Sequence, residues 1–357
     1  MSPGAFRLLL AFIVVIHHSF PLRMGAHAVF VFFILSGYWI TMMWDTKYRQ
    51  TVHPYWTFLI SRWWRLAPVF LICLLADILS SFAIDEAMPS MTFSRVWWAR
   101  QFLLIGSATA GRLLPPSWSI DVEMQFYVIA PFLLAVAYWQ KGILLWMLLA
   151  SSAALLVKTL HSGQSMESPY GWLYLPFFSA GILLYRTGWH AGRNVAWLSV
   201  LLVVSVSLAS LIWPPTRQIL WIQGLIEPTR SQMICVPSLR WLWAISSAFL
   251  MIPFISWNVN QSSSDFDREM GNLSYPLYLF HWIPREWYYH FADWNLPEWK
   301  NGIMLLCNVA FAVGGAYLIY CFIDRPVEKR RTAWVTARKI EQQPHKMVHS
   351  GSEISLG

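Results

Sequence analysis

The sequence predicts an all-α protein, a polytopic transmembrane helical bundle of about ten helices with both termini cytoplasmic. Three observations predict it. Of the 357 residues, 57% are hydrophobic and only 12% are charged, whereas soluble domains carry about 25% charged residues. Apolar stretches long enough to approach a ~30 Å hydrocarbon core recur along the chain. Tryptophan, 23 in all, gathers near the ends of those stretches (Trp44, Trp139, Trp172, Trp213 and Trp257), as interfacial anchoring requires. A net charge of +8 would point a soluble chain toward nucleic acid or an anionic partner. Here the excess lies in loops and the tail, where membrane topology accounts for it, so the expected partner is the lipid bilayer and no nucleic acid.

The first element is Phe6–Leu22, which opens on Arg7 and carries His18 eleven residues later. At ~100° and ~1.5 Å per residue the two side chains share one face, ~16 Å apart along the axis. The apolar run Leu8–Ile16 is too short to cross alone, so a spanning helix carries His17 and His18 into the membrane. There, ionisable groups face a protein interior or a wet cavity. A signal peptide is the alternative, but HHSFPLRMG, which follows, offers no small-x-small cleavage site.

The next apolar stretches are His27–Trp44, Leu66–Ile84, Ser119–Trp139, Ile143–Leu160, Trp172–Tyr185 and Val195–Trp213. Leu239–Ile255, Tyr275–Phe291 and Ile303–Ile323 complete the set. Leu103–Ala110 is a further short piece, re-entrant or interfacial. Most lysines and arginines fall on one side if both termini are cytoplasmic, and the tail dominates that balance. One membrane domain, residues 1–331, is expected, followed by a basic and polar tail over 332–357 that is predicted to be disordered. Cys73, Cys307 and Cys321 fall in apolar stretches and Cys235 in a predicted loop, with no CxxC pair. Neither a disulfide framework nor a zinc site is supported, and no metal-ligand set is expected.

Comparing depth between helices brings out the chemistry. The first helix runs outward, which puts Arg7 at the cytoplasmic mouth and His18 in the outer half. The Ser119–Trp139 helix runs inward, so Glu123 lies close to the level of His18. A carboxylate and an imidazole at one depth can form a base and its orienting partner; the alternative is a structural carboxylate bonded inside the bundle. Arg62 and Arg65, in SRWWRLAP, are three apart, hence on one face, and stand at the cytoplasmic start of their helix. They suit either a phosphate-bearing ligand or lipid headgroups, and Arg7 at the same level favours a three-arginine anion site. A ligand reaching from there to His18 is anionic at one end and extended over ~16 Å. Acyl-coenzyme A has that shape. His281, in LFHWIP, is open between a core histidine and a pocket residue, and Ser36–Gly37 between close helix packing and room for the donor arm.

The residues singled out also carry a family resemblance. Arg7 and His18 match the arginine, ten-residue, histidine motif of the acyltransferase-3 family of bacterial integral membrane acyltransferases. VFVFFILSGYWI (Val29–Ile40) is similar to its FF-x-x-SG signature, Arg62–Trp63–Trp64–Arg65 to its R-x-x-R motif, and PPSWSIDVEMQFYVIAP (Pro115–Pro131) to its WS…E-x-x-FY motif. GNLSYPLYLFH (Gly271–His281) and FIDRPVEK (Phe322–Lys329) resemble its C-terminal pair. Asp121, Met124 and Asp324 depart from the pattern, with Glu the usual residue at the position of Asp324.

The resemblance implies a ten-helix core that moves an acyl group, usually acetyl, from cytoplasmic acyl-CoA to a carbohydrate hydroxyl beyond the inner membrane. It implies catalytic roles for His18 and Glu123 and donor-binding roles for Arg7, Arg62 and Arg65. It implies a stand-alone form, without the extra C-terminal hydrolase-like domain of some members. It leaves open whether His18 acts as a base or carries the acyl group. Acyl-CoA as co-substrate, a glycan acceptor and the bilayer are the expected partners, and a homo-oligomer is compatible with them. A transporter or flippase for a glycan or lipid-linked precursor is the competing class; against it, the sequence shows no inverted repeat.

Overall fold

The computed structural model describes residues 1–20, 24–84, 94–107, 114–161, 170–220, 232–291 and 298–340. Helix α1 spans Pro3–Ser19, and α2 spans Gly25–Met43 before widening into a π turn at Trp44–Tyr48. Then come α3 (Pro54–Ala83), α4 (Arg95–Leu103), α5 (Ser117–Trp139) and α6 (Lys141–His161). A 3₁₀ turn at Gly171–Tyr174 leads into α7 (Leu175–Thr187), followed by α8 (Arg193–Ile212), α9 (Pro214–Leu220), α10 (Gln232–Leu250) and α11 (Ile252–Asn258). The chain continues through α12 (Asp265–Phe280), α13 (Trp282–Phe291) and α14 (Glu298–Ile319), a second π turn at Tyr320–Asp324, and α15 (Arg325–Thr336). No β-strand forms among the described residues; an isolated bridge joins Thr51 to Lys339.

The protein is therefore an all-helical, multi-pass membrane protein. Five described helical stretches are long and apolar enough to cross a bilayer, and six if the α10–α11 pair, bent by 41°, counts as one span. The expectation of about ten stands against that smaller number because several elements are short or broken. The α1 helix has 17 residues, about 25 Å of rise. The stretch Tyr275–Phe291 divides into α12 and α13 at His281, and Pro284 sits in the first turn of α13. Conversely, α3 begins at Pro54, about two turns before Arg62, so Arg62 and Arg65 lie inside that helix rather than at its start. Cys235 belongs to α10 rather than to a loop. Within the tail expected from Thr332, α15 runs on to Thr336 and the Ile340 amide donates to the Gln50 carbonyl at 3.0 Å. Residues 341–357 lie outside the described part. Only 11% of the apolar window of α8 is buried, which makes it a lipid-facing helix.

Two helix pairs organise the interior. The α2 and α7 helices meet at backbone contact: a Cβ on Gly37 would overlap the Phe178 carbonyl, and one on Gly181 the Ile34 carbonyl. Small residues permit such an approach, and a stacked ring pair locks it, Phe30 on Phe177 at 4.4 Å, while Phe126 of α5 stacks on Phe178 at 4.0 Å. Gly37 is thus a packing residue.

The second pair, α1 and α12, run parallel, because their contacts keep a near-constant offset. Gly4 meets Asp267, Arg7 meets Gly271 and His18 meets His281. At the N-terminus of α1, Ser2 makes no local cap bond. Asp267 of α12 takes over: it accepts the Gly4 amide at 3.0 Å, the Ala5 amide at 2.8 Å and the Ser2 hydroxyl. A carboxylate there also complements the helix dipole. Burial works against its charge, but bonds from Ser2, Ser263, Gly4 and Ala5 outweigh burial and hold the carboxyl down at about 2.

Candidate active site

A cavity of about 730 Å³ opens between α1, α2, α3, α5 and α12, within the ~300–1,000 Å³ typical of small-molecule sites. Arg7, Arg62, Arg65 and Glu123 all line it, together with Ser36, Tyr127, Tyr275, Tyr278 and Glu328. Four of the five residues expected from the sequence are thereby brought to one chamber. His18 is not in its wall; it stands at the far end of α1, where its ring stacks on His281.

The three arginines are held differently. Arg62 is buried and donates to the Tyr48 hydroxyl at 2.7 Å, its guanidinium also lying over the Tyr127 ring at 6.0 Å. That hydroxyl bonds Ser61 at 2.8 Å and accepts from Arg331 at 3.2 Å, and Arg331 in turn pairs with Glu328. Arg65 forms an ion pair with Asp324 and a longer one, 3.9 Å, with Glu328. Its guanidinium stands over the Tyr275 ring at 5.7 Å, and Tyr275 is itself tied to α3 by a 2.8 Å bond to the Leu66 carbonyl. Asp324 and Glu328 are one helical turn apart and so reach the same guanidinium.

Arg7, like Arg62, has no counter-charge in contact, and the Asp267 carboxylate acts on it only from beyond ion-pair distance. Arg7 is in none of the ion pairs among the described residues, and its buried Nε has no hydrogen-bond partner there. Gly271 makes room for it, because a Cβ at that position would overlap the guanidinium.

Glu123 accepts from the Ser36 hydroxyl at 2.8 Å and from Tyr127, both at Oε1. Ser36 of the SG pair is therefore a ligand of the carboxylate, while Gly37 packs. No hydrogen bond joins Glu123 to His18 among the described residues, so the base–orienter pair expected from matching depth is not formed directly. The ring of His18 instead meets His17 at 4.6 Å, His281 at 5.2 Å and Trp282 at 5.1 Å. Tyr278 relates the two regions: it lines the cavity, bonds Ser119 at 2.7 Å and has its ring 6.4 Å from that of His281. Asp121, a departure from the family pattern, serves the fold by accepting the Gly106 amide at 2.9 Å and the Gln125 amide at 2.8 Å.

Sequence reasoning missed Asp324 and Glu328 as partners of Arg65, and Tyr127 and Ser36 as partners of Glu123. The FIDRPVEK motif carried the first signal, but its pairing with SRWWR spans 259 residues and no local spacing encodes it. The second was half legible, since Tyr127 is one turn from Glu123.

No group of three or more histidine, cysteine or acidic side chains placed to hold a metal occurs among the described residues. The arrangement is a cationic chamber in which Arg65 is ion-paired while Arg7 and Arg62 are in no ion pair among the described residues, with a hydrogen-bonded carboxylate and an imidazole pair beyond it. A comparison with curated proteins and one with solved structures each return no match. A family model described as an acyltransferase domain matches residues 3–321, nearly the whole chain, and membership implies membrane acyltransferase activity. The motifs in their order and the extent of that match establish that the chain belongs to the acyltransferase-3 family.

Proposed function

We propose that the protein transfers an acyl group, acetyl by preference, from cytoplasmic acyl-CoA to a hydroxyl of a cell-surface or exported glycan at the bacterial inner membrane. The observation that carries this reading is Arg7, a guanidinium with no ion pair facing a cavity that it shares with Arg62, Arg65 and Glu123. A cation with no counter-charge in contact is stabilised there by an anionic ligand, and a guanidinium suits phosphate through paired N–H donors. The phosphates of CoA would meet Arg7 first. Arg62 and Arg65, already bonded to Tyr48 and Asp324, contribute field more than new bonds.

The pantetheine arm then runs along α1 toward His18, ~16 Å away by helix rise. In the transfer, the acceptor oxygen becomes bonded to the acyl carbon, the carbon–sulfur bond breaks, CoA leaves as the thiol, and imidazole handles the hydroxyl proton. His18 supplies the reactive imidazole, as base or as acyl carrier. Glu123, oriented by its bonds from Ser36 and Tyr127, stabilises positive charge that develops on the imidazole side.

The test is reconstitution in proteoliposomes with acetyl-CoA and the glycan. Wild type is expected to release CoA and acylate the acceptor, and His18→Ala to lose ~10²–10⁴-fold in transfer. Near wild-type transfer by His18→Ala would overturn the assignment. Glycan movement without CoA release would favour a transporter instead.

A further inference from the structure

One histidine has no task in that scheme. His281 stands at the junction of α12 and α13 and is 2% exposed. Its Nδ1 lies 3.2 Å from the Leu277 carbonyl oxygen. A carbonyl can only accept, so Nδ1 carries the hydrogen and the neutral ring presents Nε2 as a lone pair. That Nε2 is buried and has no hydrogen-bond partner among the described residues. A buried acceptor kept empty costs stability, and a substrate donor is a reason to keep one.

The place is next to the reactive ring. The rings of His281 and His18 stack with centroids 5.2 Å apart and planes 28° from parallel. Rings placed face to face do not direct an N–H of one at the lone pair of the other, so this is not a hydrogen-bonded couple. His18 is braced from a third side: Arg285 Nε donates to its carbonyl at 2.9 Å, with the guanidinium over Trp282 at 4.1 Å.

Resting on the acyl-transfer reading, we propose that the two histidines divide the reaction, His18 carrying the acyl group and His281 Nε2 accepting the proton of the acceptor hydroxyl. In the first step a nitrogen of His18 bonds to the thioester carbon, the carbon–sulfur bond breaks, and the thiolate leaves and takes up the imidazole proton to become free CoA. In the second, the acceptor oxygen bonds to the acyl carbon and its proton passes to His281 Nε2. The carbon–nitrogen bond breaks with its electron pair returning to His18, and the proton held by His281 returns through water to that nitrogen, so both rings end neutral and the hydroxyl proton replaces the one lost to CoA. Two imidazoles in contact have distinct duties here, whereas direct transfer needs one.

The test uses full-length protein in proteoliposomes with acetyl-CoA labelled on the acetyl group. His281→Asn keeps an amide hydrogen for the Leu277 carbonyl and removes Nε2. His281→Gln places a neutral amide near Nε2 that cannot take up the proton. Both are expected to melt with wild type and to release about one CoA per protein in the first turnover. They should retain label on the protein and acylate the glycan ~10²–10³-fold more slowly, the scale of a lost general base. The proposal is overturned if either variant transfers within a few-fold of wild type. It is equally overturned if the first-turnover CoA release disappears with transfer, since that is the mark of a structural role. Wild type that releases no CoA would instead sink the acyl-transfer reading beneath it.

Discussion

The Arg65–Asp324 ion pair is the contact whose removal reports most about how this site is built. Asp324 is 2% and Arg65 18% exposed in their side chains, so Asp324→Asn leaves a largely buried guanidinium short of its closest counter-charge. Breaking a buried pair from one side costs ~3–5 kcal/mol. Glu328 remains at 3.9 Å, which places the expected loss near ~3 kcal/mol, the low end of that range. At ~2 °C per kcal/mol for a large chain, the melting temperature should fall by about 6 °C. Intrinsic fluorescence from the 23 tryptophans follows that transition in detergent. The double change Arg65→Met with Asp324→Leu removes both charges and leaves none uncompensated, so it should melt within ~1 kcal/mol of wild type. Donor affinity should nonetheless fall in the double variant, because the cavity loses a cation. Asp324→Asn melting with wild type would refute the idea that the C-terminal motif holds Arg65 in place.

Three further outcomes follow from the geometry. Arg7→Lys, which keeps the charge and loses the planar fork, should raise KM for acyl-CoA by ~10- to 100-fold with less change in kcat, as loss of one charge-assisted bond of ~1.5–3 kcal/mol predicts; steady-state kinetics in proteoliposomes measures it, and an unchanged KM would count against phosphate contact there. Gly37→Ala should destabilise by at least the ~1–3 kcal/mol of ordinary overpacking, because the atom in its way is the Phe178 backbone carbonyl, which cannot rotate aside; thermal melting of the purified variant checks this. Asp267, held at about 2 against an ordinary value near ~3.9, has its carboxyl pKa lowered on folding. Its contribution is therefore fully present above pH ~4 and lost as pH falls toward 2. The melting temperature of wild type should drop over that window more steeply than that of Asp267→Asn, and parallel curves would remove Asp267 as the cause.

Much of the site was legible in one dimension, for local reasons. The Arg7–His18 relation needs only helix geometry, and the Arg62–Arg65 face needs only a spacing of three. Where reasoning relied on depth it was less sharp. Matching levels brought Glu123 toward His18, but side chains at one depth still choose partners by azimuth and reach. Glu123 turns to Ser36 across α2 and to Tyr127 on its own helix, while His18 turns to α12 and α13. Helix ends shifted for a similar reason: hydropathy starts a span where polar residues stop, whereas α3 continues about two turns back past Arg62, which donates to the Tyr48 hydroxyl.

The sequence by itself determined an apolar, all-helical chain, the family, and the residue types on which the proposed reaction draws, because composition, periodicity and motif order are properties of neighbours along the chain. Tertiary structure alone decided which charges cancel. Arg65 is ion-paired with Asp324 and Glu328 from the far end of the chain, and Arg7 and Arg62 are in no ion pair among the described residues. Counter-charges act through space over a few ångströms, and no pattern in the sequence says which of three arginines will find one.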